Sequence, residues 1–345
     1  MAKKRVAVAM SGGVDSSVAA ALLKEAGYEV SGLHMRLGAG VAESLAALER
    51  TAKLLNLPLY NVDLEEEFRQ RVIDYFCREY ARGRTPNPCV ACNRYLKFDL
   101  LLQKAFEMGA DYLATGHYAR VASTPEGYKL KKGIDTAKDQ SYFLYTLGQE
   151  PLGRVLMPLG DLTKERVKSI ARELDLPVGG RRESQDVCFI PDNDYRAFVA
   201  ANVPLRAGEI VDINGRVLGQ HGGLALYTVG QRQGLGLTSA EPLYVLELDA
   251  ESNRVVVGGR EQALHNILVA RNLSWVSGNA PNLPMTITAK IRYKAPEAAA
   301  ELYAADDGLE VRFSEPQPAV APGQSIVFYQ GEEVLGGGII DAVLY

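Results

Sequence analysis

The chain has 345 residues, with 38 Lys and Arg against 42 Asp and Glu, a formal net charge of -4. That balance excludes a generally basic nucleic-acid binder, so any RNA contact has to come from local patches. Hydrophobic residues make up 47% and charged residues 23%, the composition of an ordinary soluble globular protein, and the length calls for two or three domains.

The apolar run behind Lys3, Lys4 and Arg5 is only about five residues long, too short for the core of a signal peptide. No stretch approaches the ~18 apolar residues of a membrane span. A cytoplasmic, membrane-free protein is expected, in which four cysteines serve reactivity or metal binding rather than structural disulfides.

Val6 to Met10 is an apolar run that reads as a buried parallel strand, and Ser17 to Ala26 reads as a helix with Gly27 past its end. Between them lies Ala9-Met10-Ser11-Gly12-Gly13-Val14-Asp15-Ser16. Two residues without Cβ let a ligand approach the backbone, and the amides of a helix N-terminus favour phosphate. Ser11, Ser16 and Ser17 add hydroxyls, and Asp15 is placed to hold a metal ion or to order the loop. The rival phosphate motif, a glycine-rich loop ending in Gly-Lys-Ser/Thr, is absent from the chain.

Further strands are expected at Glu29 to Met35, Leu59 to Asp63 and Asp111 to Thr115, with helices near 16–26, 41–56, 65–80 and 93–108. This alternation predicts an α/β fold with a doubly wound parallel sheet, whose ligand lies off the carboxyl ends of the strands. Ser11 to Ser16, His34-Met35-Arg36 and Gly116-His117-Tyr118 all fall at strand ends and are expected to share one crevice. For Met35, core packing and nucleotide contact are equally open; Gly116 reads as a close approach of backbone to nucleotide.

Arg82 to Lys97 breaks the alternation. Pro86 and Pro88 are expected to hold the chain extended, with a helix resuming at a capping Asn93. Cys92 would then sit at a helix N-terminus near Arg94 and Lys97, an environment that lowers a thiol's pKa. The pair Cys89 and Cys92 alone leaves zinc, an iron–sulfur cluster, redox pairing and chance open. Cys77, among aromatic residues, reads as core. The helix Thr163 to Leu174 carries Lys164, Arg166, Lys168 and Arg172, for which a solvated face is the preferred reading over phosphate binding. Arg181-Arg182 and Glu183 to Ile190, with Cys188, follow. Lys138-Asp139-Gln140 precedes an aromatic run and fits either a helix cap or a reader of a base edge.

After about Phe198 the chain turns glycine-rich, and from Pro242 it breaks into short alternating strands separated by turn clusters. That pattern predicts a small mixed domain and then a C-terminal β-barrel. Gly336-Gly337-Gly338 reads as a bulge or barrel corner. The expected domains are 1–198, 199–260 and 261–345.

The Ser-Gly-Gly-x-Asp-Ser loop resembles the pyrophosphate loop of the N-type ATP pyrophosphatases. Together with Gly83 to Pro88 ending in Cys92-Asn93, Ala114 to Tyr118, Lys138 to Phe143, Cys188-Phe189-Ile190, Thr228 to Arg232 and Pro322 to Ser325, the chain closely resembles the bacterial tRNA-specific 2-thiouridylases. The resemblance covers nearly the whole chain in the same order. It implies sulfuration of C2 of the wobble uridine in tRNAs for Lys, Glu and Gln, with ATP and Mg²⁺, through an adenylated O2. It further implies ATP contacts at Ala9 to Ser16, Met35 and Gly116, and catalytic roles for Asp15, Cys92 and Cys188. Cys188 would carry a persulfide from a sulfur-relay or cysteine desulfurase partner, and Cys92 would close a disulfide with it. Asn87, Pro88, Cys89 and His117 would meet the target base or tRNA, as would Lys138, Asp139, Gln140, Arg292, Tyr293 and Gln324.

One departure stands out. Much of the family has aspartate where this chain has Cys89, and the stretch after Arg36 is short. Cys89, Cys92 and Cys188 form a three-cysteine set of the kind that suits a [4Fe-4S] cluster with one free iron, so the persulfide and cluster routes both stay open. Two rival functions are a metal-binding tRNA-binding module and another adenylating enzyme of the same loop family, such as a tRNA lysidine synthetase-like ligase.

Overall fold

The structure, a computed structural model, describes residues 3–38, 42–177, 187–190 and 194–344. The sequence motif Arg181 to Asp186 lies outside the described residues. The chain begins with β1 (Arg5–Ala9), α1 (Val14–Glu25), β2 (Glu29–Arg36), α2 (Ala42–Leu54) and β3 (Leu59–Asp63). A helical stretch follows, α3 (Glu65–Phe68), a π-helical turn Arg69–Ile73 and α4 (Asp74–Ala81). Next come α5 (Pro88–Cys92), a second π-helical segment Asn93–Leu100, α6 (Leu101–Glu107) and β4 (Tyr112–Ala114).

The hairpin β5 (Ala119–Thr124) and β6 (Gly127–Lys132) precedes α7 (Gln149–Leu152), β7 (Val155–Leu156), α8 (Lys164–Glu173) and α9 (Tyr195–Asn202). Strands β1, β2, β3, β4 and β7 make one parallel sheet in the order β3-β2-β1-β4-β7. This is the doubly wound order, with its switch point between β1 and β4.

Period-two alternation along β1 explains how the sheet is covered on both faces. Val6, Val8 and Met10 pack with Val18, Leu23, Leu48 and Ile170 on one side. Ala7, Leu33 and Leu113 pack with Phe68, Val72 and Leu101 on the other.

A second sheet contains β8 (Gly208–Asp212), β9 (Val217–His221), β10 (Tyr244–Asp249) and β11 (Arg254–Gly258) in the order β10-β11-β8-β9. The last six strands are β12 (Leu264–Trp275), β13 (Met285–Lys290), β14 (Ala298–Ala305), β15 (Gly308–Pro318), β16 (Ser325–Gln330) and β17 (Glu333–Leu344). They pair antiparallel in a third sheet, in the order β12-β15-β14-β13-β16-β17, and β12 also pairs with β17, which closes a barrel. Gly336 and Gly337 sit where their Cβ atoms would strike the Ser274 and Ile326 carbonyls at 2.2 and 2.3 Å, as a tight barrel corner requires.

Two features depart from the sequence expectations. The helix after the prolines starts at Pro88, not Asn93, with Asn87 as its cap accepting from Val90 N at 3.3 Å. Proline is tolerated at N1, where its missing N–H has no helical partner to lose. The hairpin β5–β6 was not expected; it leaves the α/β domain and joins the barrel sheet, pairing Glu333 with Lys131 and Val334 with Leu130. Val327, Tyr329 and Val334 of the barrel therefore belong to the same core as one face of the parallel sheet.

Candidate active site

The Ser11 to Ser16 loop leaves β1 and caps α1. Gly12 takes a positive φ of 76°, which a residue with a Cβ rarely adopts. Gly13 stands at the N-cap without a side chain to satisfy the amides, so these point outward unblocked. Ser16 and Ser17 hydroxyls donate back to Gly13 O at 3.1 and 2.9 Å, and Ser11 N donates to Ser16 Oγ at 3.2 Å. The serines thus hold the loop's shape. Ala9 is half-buried and Met10 is core.

The neighbouring strand ends converge as expected. His34 is buried with Nδ1 3.1 Å from Met10 O. Met35 is half-buried against the core. A Cβ on Gly116 would lie 2.9 Å from both Asp15 C and Ser16 N. Contact between protein segments already accounts for this glycine.

Asp15 shows a partnership that the sequence reading missed. Lys164 Nζ lies 2.8 Å from both Asp15 oxygens, and Tyr118 Oη donates to Oδ1 at 2.8 Å. The Lys164 side chain is 7% exposed and that of Asp15 33%. Lys164 is the first residue of α8, capped by Thr163, so the helix geometry turns it inward against α1. The solvated-face expectation is wrong for this lysine. Its periodicity carried the signal: Lys164, Val167 and Ala171 fall at i, i+3 and i+7, the buried face of α8.

The second part of the site is the thiol group. Cys89 and Cys92 are three residues apart on one face of α5, and both are half-buried, while Cys188 is exposed. Burial pushes the Cys89 thiol up to about 11; Lys97 opposes this, and Cys188 and Cys92 add to it. Burial also raises Cys92, again opposed by Lys97 and increased by Cys188. Burial raises the Cys188 thiol as well, opposed by Lys97 and by a backbone hydrogen bond.

The three thiols therefore sense one another and share one counter-charge. The expected low-pKa Cys92 is corrected: it closes the first helical segment rather than opening it, and burial outweighs the lysine. Lys97 also acts on His117, whose pKa lies well below 6.5 chiefly through burial. That histidine is neutral, 9% exposed, with Nδ1 2.9 Å from Thr115 Oγ1 and its ring 5.7 Å from Phe98.

All four cysteines are free. Among the described residues, no three His, Cys, Asp or Glu side chains are grouped to hold a metal ion. As placed, Cys89, Cys92 and Cys188 do not offer the compact donor set of a [4Fe-4S] cluster. Mg²⁺ commonly takes one carboxylate besides the substrate's phosphates, but both oxygens of Asp15 are engaged by Lys164.

The remaining expected contacts separate. Asp139 accepts from Gly133 N, Ser141 N and Ser141 Oγ at 3.0, 3.1 and 2.8 Å. Gln140 Oε1 accepts from Tyr118 N at 3.0 Å. These two residues order the turn before the 3₁₀ segment Ser141–Leu144, and Lys138 is half-buried beside them. Tyr293 stacks on Phe143 with centroids 4.4 Å apart and is sensitive to Cys89. Gln324 Nε2 donates to Thr85 O and Pro86 O at 3.0 and 3.3 Å. Arg292 faces a cavity next to Tyr293.

A doubly wound domain with this loop at the end of its central strand is built to take a phosphate-bearing nucleotide, and two β modules follow it. Residues 4–192 match the tRNA methyl transferase HUP domain, 196–259 its PRC-barrel domain and 265–340 the aminomethyltransferase β-barrel domain. The chain is 49% identical to tRNA-specific 2-thiouridylase MnmA 1 of Caldanaerobacter subterraneus subsp. tengcongensis, over 98% of each chain. It is 45% identical to tRNA-specific 2-thiouridylase MnmA of Clostridium acetobutylicum, over 98% of this chain and 99% of that one. Among solved structures, the U34-tRNA thiolase NcsA of Methanococcus maripaludis with its [4Fe-4S] cluster aligns at 16% identity and TM-score 0.39, over 58% of this chain and 65% of that one. The chain belongs to the tRNA-specific 2-thiouridylase family and is a tRNA sulfurtransferase.

Proposed function

We propose that this enzyme 2-thiolates the wobble uridine of tRNAs for Lys, Glu and Gln, activating O2 with ATP and delivering sulfur from a persulfide on Cys188. The observation that carries the sulfur route is that Cys92, on α5 behind the capped turn Asn87-Pro88, packs on the same core as Phe189, the residue after Cys188. The amides at Gly12 and Gly13 bind the nucleotide's phosphates. Uridine O2 attacks the α-phosphorus; the bond to the bridging oxygen breaks and pyrophosphate leaves.

A sulfur-relay or cysteine desulfurase protein supplies the outer sulfur on Cys188. That sulfur attacks C2, and AMP leaves carrying O2. Cys92 then attacks Cys188 Sγ: the S–S bond breaks, sulfur stays on C2, and a Cys92–Cys188 disulfide forms for an external dithiol to reduce. Lys97 favours the Cys92 thiolate against burial. The thiols' raised pKa values make sulfur transfer faster as pH rises from 7 to 9. A cytoplasmic location, beside the tRNA pool, goes with this role.

The test uses tRNA, ATP and a cysteine desulfurase with cysteine as the sulfur donor, scored by nucleoside mass spectrometry alongside ATP–pyrophosphate exchange. Cys92→Ser and Cys188→Ser are expected to lose thiouridine and keep exchange, while Asp15→Ala loses both. A Cys188→Ser enzyme that still thiolates with the desulfurase donor overturns the persulfide route. So does an anaerobic active preparation with about four iron atoms per chain that vanish in Cys89→Ser.

A further inference from the structure

Asp15 lies in the first turn of α1, just past the Gly13 N-cap, and both of its carboxylate oxygens are taken by side chains from outside the loop. The partners are Lys164 Nζ, at the start of α8, and Tyr118 Oη, from the residue before β5. We propose that the turn 133–140 is a positioning element of the nucleotide site: through Asp135 and Gln140 it holds Lys164 and Tyr118, which keep the Asp15 carboxylate off the open amides of α1. This role rests on the ATP-activating reading above and adds the residues that keep that site ready for phosphate.

The turn follows β6 and is tied down along its length. Ile134 N donates to Gly160 O at 3.0 Å. Asp135 Oδ2 accepts from Lys164 N at 2.9 Å, and its Oδ1 accepts from Ala137 N at 3.1 Å. The first amides of a helix have no partner inside it; Asp135 takes the one on Lys164, while Thr163 Oγ1 takes the one on Arg166 at 3.2 Å. Gln140 grips the Tyr118 backbone twice. Its N donates to Tyr118 O at 2.9 Å, and its Oε1 accepts from Tyr118 N at 3.0 Å.

Two glycines bring these pieces together. A Cβ on Gly133 would lie 2.8 Å from Tyr118 O, and one on Gly116 would lie 2.9 Å from Asp15 C. Turn, strand end and phosphate loop are therefore stacked backbone against backbone, with no side chain of either glycine between them to absorb a shift.

A carboxylate in this place has another position open to it. Helix N-termini carry unpaired N–H groups and a partial positive charge, and a side-chain oxygen in the first turn bonds them readily. Gly13 brings no side chain to those amides. A released Asp15 would cap its own helix and set a negative charge where phosphate binds. The clamp prevents both, since the Lys164 ammonium stands 2.8 Å from each oxygen and offsets the charge. With the Lys164 side chain 7% exposed and Tyr118 2% exposed, bulk water does not compete for either contact.

The test is isothermal titration of α,β-methylene-ATP with Mg²⁺ into wild type, Tyr118→Phe, Asp135→Ala and Asp135→Asn, alongside the kinetics of ATP–pyrophosphate exchange with tRNA. Tyr118→Phe removes only a hydroxyl from a buried ring; Asp135 is half-buried on the turn, so its variants carry the test where the tyrosine change fails to fold. Tyr118→Phe and Asp135→Ala are each expected to weaken the analogue about fivefold and to raise KM for ATP by the same factor. kcat and the KM for tRNA should stay within about twofold of wild type, because bound phosphate still displaces the carboxylate. Asp135→Asn keeps an oxygen for Lys164 N and should bind the analogue as wild type does. Wild-type affinity in Tyr118→Phe or Asp135→Ala overturns the arm that residue belongs to, as does an Asp135→Asn as weak as Asp135→Ala for the Asp135 arm. A loss confined to kcat or to the KM for tRNA overturns the positioning role while the ATP reading stands. A wild type that binds no analogue and exchanges no pyrophosphate overturns both together.

Discussion

Asp15 and Lys164 are joined by two contacts of 2.8 Å, yet they are not equivalent partners, because Lys164 is buried and Asp15 keeps a third of its surface. Removing Asp15 takes both short carboxylate contacts from an ammonium whose side chain is only 7% exposed. Removing Lys164 leaves a carboxylate that water can reach and that sits in the first turn of α1, where the helix dipole favours it. Breaking a buried pair from the side that strands the buried charge costs about 3 kcal/mol or more, and the other side costs less. Urea denaturation should therefore rank Asp15→Ala below Lys164→Ala in stability, with Asp15→Ala/Lys164→Met recovering part of the loss. Equal losses in both single variants would contradict this account. The pair also marks a boundary of sequence reading. The loop was legible from its glycines and serines, because a strand–turn–helix motif is local. The pairing of Lys164 with it was not, since the two lie 149 positions apart; only the period of Lys164, Val167 and Ala171 pointed to a buried face.

The turn that carries Asn87 and Pro88 is held by the barrel rather than by its own domain. Thr85 N donates to Pro322 O at 2.8 Å, Gln324 donates to Thr85 O and Pro86 O, and Arg84 pairs with Glu79 and Asp341. A Cβ on Gly323 would stand 2.8 Å from Thr85 N, so only glycine permits this approach. The prolines cannot donate from the backbone, which leaves their flanking carbonyls to be satisfied from across the interface. Gln324→Ala should loosen the turn at a cost of about 1 kcal/mol and raise amide exchange at 85–92, while stem-loop RNA affinity stays within twofold. A tenfold loss of RNA affinity with unchanged exchange would instead make Gln324 an RNA contact. At this scale the apolar runs served well: the buried β1 and the alternation of strands and helices through β4 followed from them. The start of α5 did not, because two prolines read as extended chain, while the second is a good N1 residue once Asn87 supplies a cap.

The α/β domain and the barrel are bound into one body by the hairpin β5–β6 and by a core that crosses between them. Leu130, Tyr142, Tyr145, Leu147 and Val155 pack with Val327, Tyr329 and Val334. Tyr142 Oη donates to Ser325 O at 2.7 Å, and Tyr145 Oη reaches Ser325 Oγ and Gly338 O at 3.4 Å. No local pattern announces such a union, since strand pairings more than 200 residues apart leave no period in the sequence, and the hairpin's polar run Lys129, Lys131 and Lys132 does not look like a barrel strand. Two of its lysines are in fact paired across the junction, Lys129 with Glu333 and Lys132 with Glu297. The consequence concerns folding. A chain cut after residue 260 would expose the buried faces of Leu130, Tyr142 and Tyr145 to water, and burying a large apolar side chain contributes about 1.5–3 kcal/mol. Several such losses are comparable with the whole stability of a domain, about 5–15 kcal/mol. The intact protein should therefore unfold with the α/β domain and barrel in one transition, read by tyrosine fluorescence and circular dichroism together. The 1–260 fragment should bind a hydrophobic dye and show no cooperative melt; a fragment that melts at the intact protein's midpoint would show that the crossing core is not what holds the first domain in shape.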